Sequence, residues 1–286
     1  MGNPAVNTKH DFQGSLVAKA RRSLLDNIQI NYGPASVLSR FFLAAEKAIR
    51  DMGIALELSS LGDIAQVQVG NKTSWTLFPP MLDVRLSPIS EAMSYALIGR
   101  DSSGEIVCAQ GGRIYDTGQN SMQDIVDDQS FFYADGRTPL FGEPKIVLTA
   151  PSAVKIRGTF VYSGALWVRP DFRGQELSRL LPRLSRAYAL ANWNTKYTIA
   201  LVSNQIANSP LLAMYGYSKV EPEFRISGLM DKHMIGSLMW MDADELASDL
   251  SHFLALSQSQ IDATVTDSRT KNNQSTVRPA DWQRHA

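Results

Sequence analysis

Apolar side chains recur at helical spacing soon after Gly33-Pro34, and this pattern predicts a helix that ends at Gly53. Proline suits the first helical position, because its missing N–H would have no partner there. Glycine is a common stop signal. A preceding helix is predicted from about Ser15 to Ile28. The apolar positions of the second helix are Val37, Leu38, Phe41, Ala45, Ala48, Ile49 and Met52.

The middle of the chain has the shorter period of β-strands. Residues 95–100 and 105–110 flank the turn Asp101-Ser-Ser-Gly104, which predicts a hairpin. Residues 75–83 contain two prolines, and we expect them to form a loop. Further strands are predicted at residues 145–149 and 159–168.

Helical and strand periods alternate in the last third of the chain, which predicts strand–helix–strand units. Together with the preceding strands, they indicate a mixed α/β sheet in one domain. Residues 257–286 are rich in Ser, Gln, Asn, Thr and Asp, and they predict a disordered tail. The predicted elements are a helix at 174–193, a strand at 197–202, a short helix at 209–215, strands at 217–226 and 238–241, and a helix at 243–256.

Composition narrows the class of protein. The chain has 286 residues, 44% of them hydrophobic, with 28 Lys+Arg against 28 Asp+Glu, so we expect no general affinity for nucleic acid or a membrane surface. Its single cysteine, Cys108, excludes an internal disulfide and a cysteine zinc cluster. Without such a cluster, we expect no bound metal. We expect a cytoplasmic protein, because the chain has no apolar segment of about 20 residues and its first ten residues contain no apolar stretch.

Several catalytic signatures are absent from the sequence. The chain has no His-Glu-x-x-His, no Gly-x-Ser-x-Gly, no Gly-x4-Gly-Lys and no Gly-x-Gly-x-x-Gly after a strand. Metalloprotease, serine hydrolase, nucleoside triphosphatase and dinucleotide oxidoreductase functions therefore lack their usual residues. Residues 1–50 carry seven Lys/Arg against three Asp/Glu, which fits either an anionic partner or a solvated helix face.

The most informative segment combines an apolar strand, a tight turn at Pro170-Asp171 and an Arg-Gly entry into a helix. It reads Gly164-Ala-Leu-Trp-Val-Arg-Pro-Asp-Phe-Arg-Gly-Gln-Glu-Leu-Ser178. A helix N-terminus offers free N–H groups and a partial positive charge, which suit a phosphate. Leu177, Leu180, Leu181, Leu184, Ala187 and Tyr188 form one stripe of the helix. Arg179, Arg183 and Arg186 fall on the opposite face, where they either add to the positive field for a phosphate or form a solvated arginine face.

This segment resembles the core motif of the GNAT acyltransferase superfamily. The resemblance implies a GNAT-like mixed α/β central sheet flanked by helices, here with an extra N-terminal helical pair. It also implies acetyl-CoA or another acyl-CoA as co-substrate, with pantetheine on the strand end and pyrophosphate on the turn amides. The implied cofactor-binding residues are Leu166, Trp167 and Val168 on the strand, Arg173, Gly174, Gln175, Glu176, Leu177 and Ser178 on the turn, and Asn204 after the next strand.

The turn departs from the family pattern at two positions. Glu176 and Ser178 stand where the family has glycine and then glycine or alanine, so a β-carbon and a negative charge lie near the expected phosphates. Pro182 is unfavourable inside a helix by about 3 kcal/mol. It fits best if the helix begins near Ser178, with the proline in the first turn.

Candidate catalytic residues are hydroxyl groups. The family's Leu-Tyr pair would place a tyrosine at Leu212, and Tyr215 lies almost one helical turn away and can take its place as the acid that protonates the thiolate. Tyr162, Ser163, Ser203 and Asp83 are candidates for handling the amine proton, directly or through water. The segments 75–83 and 131–133 are candidates to line the acceptor site, although apolar residues of this kind commonly pack in a core.

These observations predict an acyltransferase that moves an acetyl or other acyl group from acyl-CoA to an amine of a small molecule or protein. Two alternatives remain: a GNAT-fold N-acyl synthase that takes its acyl group from an acyl carrier protein, and a non-catalytic binding or regulatory module. The expected organisation is an N-terminal helical segment at 1–53, the GNAT-like domain at 54–256, and the tail.

Overall fold

The structure is a computed structural model that describes residues 23–134, 145–229 and 232–275. The α-helices are α1 (Ala35–Asp51), α2 (Leu61–Gly70), α3 (Met122–Asp127), α4 (Leu177–Trp193), α5 (Asn204–Ala207), α6 (Leu211–Met214) and α7 (Ala243–Ser275). The strands are β1 (Ala55–Ser59), β2 (Ser94–Arg100), β3 (Ile106–Ser121), β4 (Lys145–Leu148), β5 (Arg157–Val168), β6 (Tyr197–Ser203), β7 (Lys219–Leu229) and β8 (Lys232–Asp242).

The eight strands form one sheet in the order β1-β2-β3-β5-β6-β8-β7-β4. Neighbouring strands are antiparallel except β5 and β6, which are parallel. Helices cover both faces of the sheet, so the mixed α/β sheet flanked by helices that the sequence predicts is confirmed.

Two apolar cores lie on opposite faces of this sheet. One core contains the apolar sides of α2 and α3 and a large group of aromatic rings. On the other face, α4 packs on β3 and β5, and α1 and α7 pack over α4. The central helix α4 is therefore enclosed between the sheet and two further helices.

Helix α1 begins and ends close to the predicted residues. Gly33 has a φ of +77°, and a Cβ there would lie 3.0 Å from Leu38 Cδ1, so glycine fits both the conformation and the close packing. At the other end, Gly53 follows the helix with a φ of +76°. The helix and its glycine stop are confirmed.

Two elements between residues 54 and 74 were not predicted. Strand β1 has only five residues, and α2 alternates small, polar and apolar side chains without a strong stripe. The sequence did contain a signal for the start of α2, because Ser60 and Asp63 form a capping box there.

The two ends of the chain differ from the expectation where they are described. Most of the helix predicted from Ser15 to Ile28 lies outside the described residues, and its described part is a short 3-10 turn at Leu24–Asn27. Helix α7 continues to Ser275 instead of ending near Leu256, so residues 257–275 of the expected tail are helical. Neither glycine nor proline interrupts the sequence from Ala243 to Ser275, which allows the helix to continue.

Helix α4 begins at Leu177, three residues after the predicted Gly174. Pro182 consequently occupies the sixth helical position and lies in the helix interior, so the prediction that it belongs to the first turn is wrong. Its ring removes the N–H that would otherwise bond to the carbonyl of Ser178.

Candidate active site

The candidate site is the opening between β5 and β6, called here the wedge. The two parallel strands pair only where residues 160–162 of β5 lie beside residues 197–199 of β6. Past these three pairs, residues 163–168 have no strand partner on that side within the described chain. The wedge is thus bounded by a strand edge with free backbone groups.

Hydrogen-bond alternation fixes which backbone groups of β5 face the wedge. The N–H of Arg169 donates to the carbonyl of Val107 at 2.8 Å, so this pair is bonded to β3. In an antiparallel ladder the preceding residue, Val168, points its N–H and C=O away from β3 and towards the wedge. Its carbonyl accepts a hydrogen bond from Arg173 Nε at 3.1 Å.

A β-bulge lies on β5 where the strand leaves β6. Ala165 has a φ of +56°, and the pairing with β3 passes from Gly164–Gly111 to Trp167–Ala109. Two residues of β5 therefore lie opposite one residue of β3, which bends the strand locally. The bulge lies at the inner end of the wedge.

The turn before α4 has the backbone shape typical of glycine at residue 176, although this residue is a glutamate. Gly174 has a φ of +81°, and Glu176 has a φ of +64° in the left-handed region. Residues 173–176 are exposed. Across the described parts of the chain, the N–H groups of residues 174–178 donate to no protein acceptor.

The Glu176 carboxylate contacts a side chain in the first turn of helix α4. It accepts a hydrogen bond from Arg179 Nη1 at 3.0 Å, and its side chain is 57% exposed. The negative charge that the sequence places near the turn is therefore partly neutralised by the next helical turn.

The expected solvated arginine face of α4 is wrong for two of its three members. Arg183 and Arg186 are buried, because α7 and the chain after α6 cover this side of α4. Arg183 forms a two-point ion pair with Asp249 of α7, at 2.9 and 2.8 Å. The side chain of Arg186 is fully buried. Helical periodicity cannot distinguish a solvated arginine face from one that a later helix covers.

The predicted catalytic residue Tyr215 lies at the wedge. It packs with Ala200, Val202 and Met239, and the partly buried Leu166 of β5 packs against the same group. Burial raises the pKa of Tyr215 to about 12, and a negative charge on Tyr217 would add to that increase. The phenol therefore stays protonated at neutral pH, as an acid requires.

The other predicted residues are divided between the two faces of the sheet. Ser203 ends β6 and is half-buried, and Asn204 begins α5 and is exposed. Tyr162 lies on the opposite face in the aromatic core. Its ring lies along β5 above Gly164, where a Cβ would stand 2.8 Å from the phenol oxygen. Burial raises the pKa of Tyr162 well above its usual value.

The two remaining proton-handling candidates have protein partners. Asp83 forms a two-point ion pair with Arg85, both contacts at 2.7 Å. Ser163 accepts from Gln110 Nε2 at 3.0 Å and donates to Ser185 at 2.9 Å, within a buried chain of polar groups. Ser163 therefore joins β5 to α4.

The two aromatic segments proposed to line an acceptor site are packed in the core. Residues 131–133 are fully buried, and Trp75 stacks on Trp167 with ring centroids 5.6 Å apart. Arg113 Nη1 donates to the carbonyls of Met81 and Phe131, which ties the two segments together.

Sequence reasoning missed Tyr217 and Asp249, which lie close to the wedge. Tyr217 packs against the same group as Tyr215, and its hydroxyl is buried without a hydrogen-bond partner within the described residues. Asp249 had no local signal, because its role comes from a contact with Arg183, 66 residues away.

Metal-binding clusters and membrane helices are both absent from the described ranges. Residues 23–134, 145–229 and 232–275 contain no group of three or more side chains suited to hold a metal ion. No helix among them has the length and apolar character needed to cross a bilayer.

Comparison with known proteins gives similar solved structures only, since no family model and no curated protein matches. NAA60 of Arabidopsis thaliana, solved with acetyl-CoA, is 12% identical with a TM-score of 0.42, over 66% of this chain and 98% of that one. A mutant form of the spermidine N-acetyltransferase SpeG of Vibrio cholerae is 9% identical with a TM-score of 0.40, over 68% and 96%. An uncharacterised Bacillus halodurans protein is 13% identical with a TM-score of 0.42, over 71% and 90%.

The structure places β5 and β6 side by side as a parallel pair in a mixed sheet, open beyond residue 162. This is the strand arrangement that we expected from the sequence of residues 164–178.

Proposed function

We propose that the protein is an acyltransferase that moves an acetyl or other acyl group from acyl-CoA to an amine of a small molecule or protein. The observation that carries the proposal is the turn before α4, where the exposed residues 174–176 have free N–H groups beside the open strand edge. Such a turn suits a pyrophosphate, and an open strand edge suits the amide groups of pantetheine.

Positioning supplies most of the catalysis in this proposal. The amine nitrogen attacks the thioester carbon, the C–N bond forms, and the C–S bond breaks with its electron pair on sulfur. The free N–H of Val168 is available to the developing oxyanion. Tyr215 gives its proton to the departing thiolate and regains one from solvent, and the proton lost by the amine passes to water, directly or through the hydroxyl of Ser203.

Arg173 has two roles in the proposal. In the structure its guanidinium donates to the carbonyls of Val168 and Ser74, at 3.1 and 3.5 Å. When a phosphate occupies the turn, we expect the exposed side chain to turn towards it, which also frees the Val168 carbonyl for the pantetheine arm.

Calorimetric titration with acetyl-CoA and longer acyl-CoAs tests the proposal. Saturable heat, together with a rise in the melting temperature, supports a CoA-dependent enzyme. No heat and no thermal shift with any of them would overturn it. In that case an acidic acyl carrier protein is the next donor to test, and its binding should weaken steeply with salt.

A further inference from the structure

Two arginines and one aspartate form a buried cluster behind the wedge, called here the arginine clamp (Arg183, Arg186 and Asp249). Asp249 is fully engaged by the two-point contact with Arg183. Arg186 reaches the same carboxylate only at 3.5 Å. Two buried cations thus share one carboxylate, and the surplus positive charge is on Arg186.

The surplus charge is poorly satisfied where it lies. Arg186 Nη2 makes a long 3.4 Å contact with the carbonyl of Gly216, and its Nε and Nη1 have no partner within the described residues. Burying a cation without a close counter-charge is strongly unfavourable. Such a cation is better matched to a site where negative charge arrives or develops.

The charge is directed towards the wedge through Tyr217. The Arg186 guanidinium carbon lies 4.2 Å from the centroid of the Tyr217 ring, and the buried Tyr217 hydroxyl has no partner in the described chain. Tyr217 packs against the group that contains Tyr215, beside Leu166 of β5.

Three other buried tyrosines lie within electrostatic range of Tyr217. Burial raises the pKa values of Tyr95, Tyr162 and Tyr215, and a negative charge on Tyr217 would raise each further. The Arg186 charge acts in the opposite direction on Tyr95. The Tyr217 hydroxyl is therefore within electrostatic reach of groups on β2, on β5 and after α6.

The clamp also holds the backbone of this segment in place. Arg183 Nη1 donates to the carbonyl of Met214 at 2.8 Å. Gly216 has a φ of +68°, and a Cβ there would overlap the Arg183 guanidinium. The position of the segment 215–217 is thus set by α4 and α7 together.

We propose that Arg186 is a fixed internal cation that stabilises the thiolate formed in the wedge, acting through the hydroxyl of Tyr217. The inference rests on the proposed function, because it takes the anion to be the sulfur of coenzyme A. The reaction exchanges an amine N–H bond and a C–S bond for a C–N bond and an S–H bond, so it needs no further reactant. Arg186 is a positioning residue, and Tyr217 is the group expected to touch the sulfur.

The test measures the ionisation of bound coenzyme A without any acceptor. Thiolate absorbance is followed against pH as the difference between complexes with coenzyme A and with desulfo-coenzyme A, which removes the signal of the protein's own tyrosines. In the wild-type protein the bound thiol should ionise about one pH unit below the free thiol, because a nearby cation favours the charged form. Arg186→Met should abolish the shift, and Arg186→Lys should retain part of it.

Controls separate the charge effect from a loss of structure. Arg113→Met removes another buried arginine that lies over a tyrosine ring, Tyr115, on the opposite face, and it should leave the thiol ionisation unchanged. Tyr217→Phe keeps the packing and should lose most of the shift, so it replaces Arg186→Met if that variant does not fold.

The outcomes are distinct. If coenzyme A binds and the thiol ionises equally in wild type, Arg186→Met and Tyr217→Phe, the inference is wrong and the proposed function survives. If neither coenzyme A nor its desulfo form binds the wild-type protein, the proposed function fails and the inference fails with it.

Discussion

Glu176 shows how one residue can keep a backbone shape while changing its chemistry. The left-handed region is open to glycine and unfavourable by about 1–2 kcal/mol for a residue with a β-carbon. Glu176 nevertheless adopts it, with a φ of +64°. The turn therefore retains the shape that glycine would give, at some loss of stability.

Glu176→Gly should increase the affinity for acetyl-CoA a few-fold, because it removes a carboxylate near the turn. Glycine lowers stability inside a helix, but at the positive φ of residue 176 it relieves strain instead. The variant should therefore unfold at an equal or higher urea concentration. Calorimetry and urea unfolding measure the two effects.

Gln175→Gly is the matched control for this substitution. It adds the same flexibility one residue earlier, at a position whose φ is not positive, so it should lower stability slightly and leave affinity unchanged. A Glu176→Gly protein that is less stable and binds acetyl-CoA no better would contradict the interpretation of the turn.

At the scale of elements, the start of α2 depends on one carboxylate. Asp63 accepts hydrogen bonds from Ser59 Oγ and Ser60 Oγ, at 2.6 and 2.7 Å, and from the backbone N–H of Ser60. The bonds from Ser59 and Ser60 lower the pKa of Asp63, although partial burial opposes them.

Because the pKa of Asp63 is lower in the folded state, its charged carboxylate stabilises the fold at pH values above the unfolded pKa of about 4. This contribution is lost as the pH falls through the folded pKa. Asp63→Asn should therefore lower the urea midpoint at pH 7, and its difference from the wild-type midpoint should shrink as the pH falls below about 4. Urea unfolding at several pH values measures this. A constant difference from neutral to acidic pH would show that the charge is not responsible.

Gly216→Ala tests the contact between α4, α7 and the segment 215–217. The added Cβ meets the Arg183 guanidinium and lies 2.9 Å from Asp249 Oδ1, at a φ that disfavours alanine. We expect a loss of about 2 kcal/mol or more in the free energy of unfolding. The control Gly104→Ala has a φ of +92° and open space around it, so it should lose only the conformational part, about 1 kcal/mol. Equal losses in both variants would show that the contact of the added Cβ with Arg183 and Asp249 is not the cause.

The sequence predicted strands and helices best where the period is long and the boundary residues are strong. The hairpin at residues 95–110 was predicted from its turn at Asp101–Gly104, and α1 was predicted because Gly33-Pro34 and Gly53 mark its two ends. The strand–turn–helix of the candidate site was predicted in place. The bulge at Ala165 and the burial of Arg186 were not, since both depend on partners far along the chain.

For the whole molecule, α7 completes the core. Leu246, Leu250 and Phe253 are buried against α1 and α4, and the ring of Phe253 lies 5.6 Å from that of Phe41. A protein of this size has little stability to spare, about 5–15 kcal/mol. The inner half of α7 should therefore be needed for folding.

A chain shortened to end at Gln258 should remain folded and keep its urea midpoint within a small difference, because the buried contacts of α7 named above all precede this residue. A chain that ends at Ser248 loses Asp249, Leu250 and Phe253, and it should fail to unfold cooperatively. Urea unfolding followed by circular dichroism compares them. Full stability of the shorter chain would show that α7 does not complete the core.

The three residue pairs between β5 and β6 have a mechanical consequence. Backbone bonding links the two halves of the sheet through this short seam, whereas other neighbouring strands share up to nine paired positions. Under thermal motion or an applied force, the seam is the compliant part of the sheet, and the halves behave as stiffer plates on either side. A ligand bound in the wedge would link β5 and β6 at a second place. The backbone amides at residues 160–162 and 197–199 would then exchange hydrogen more slowly.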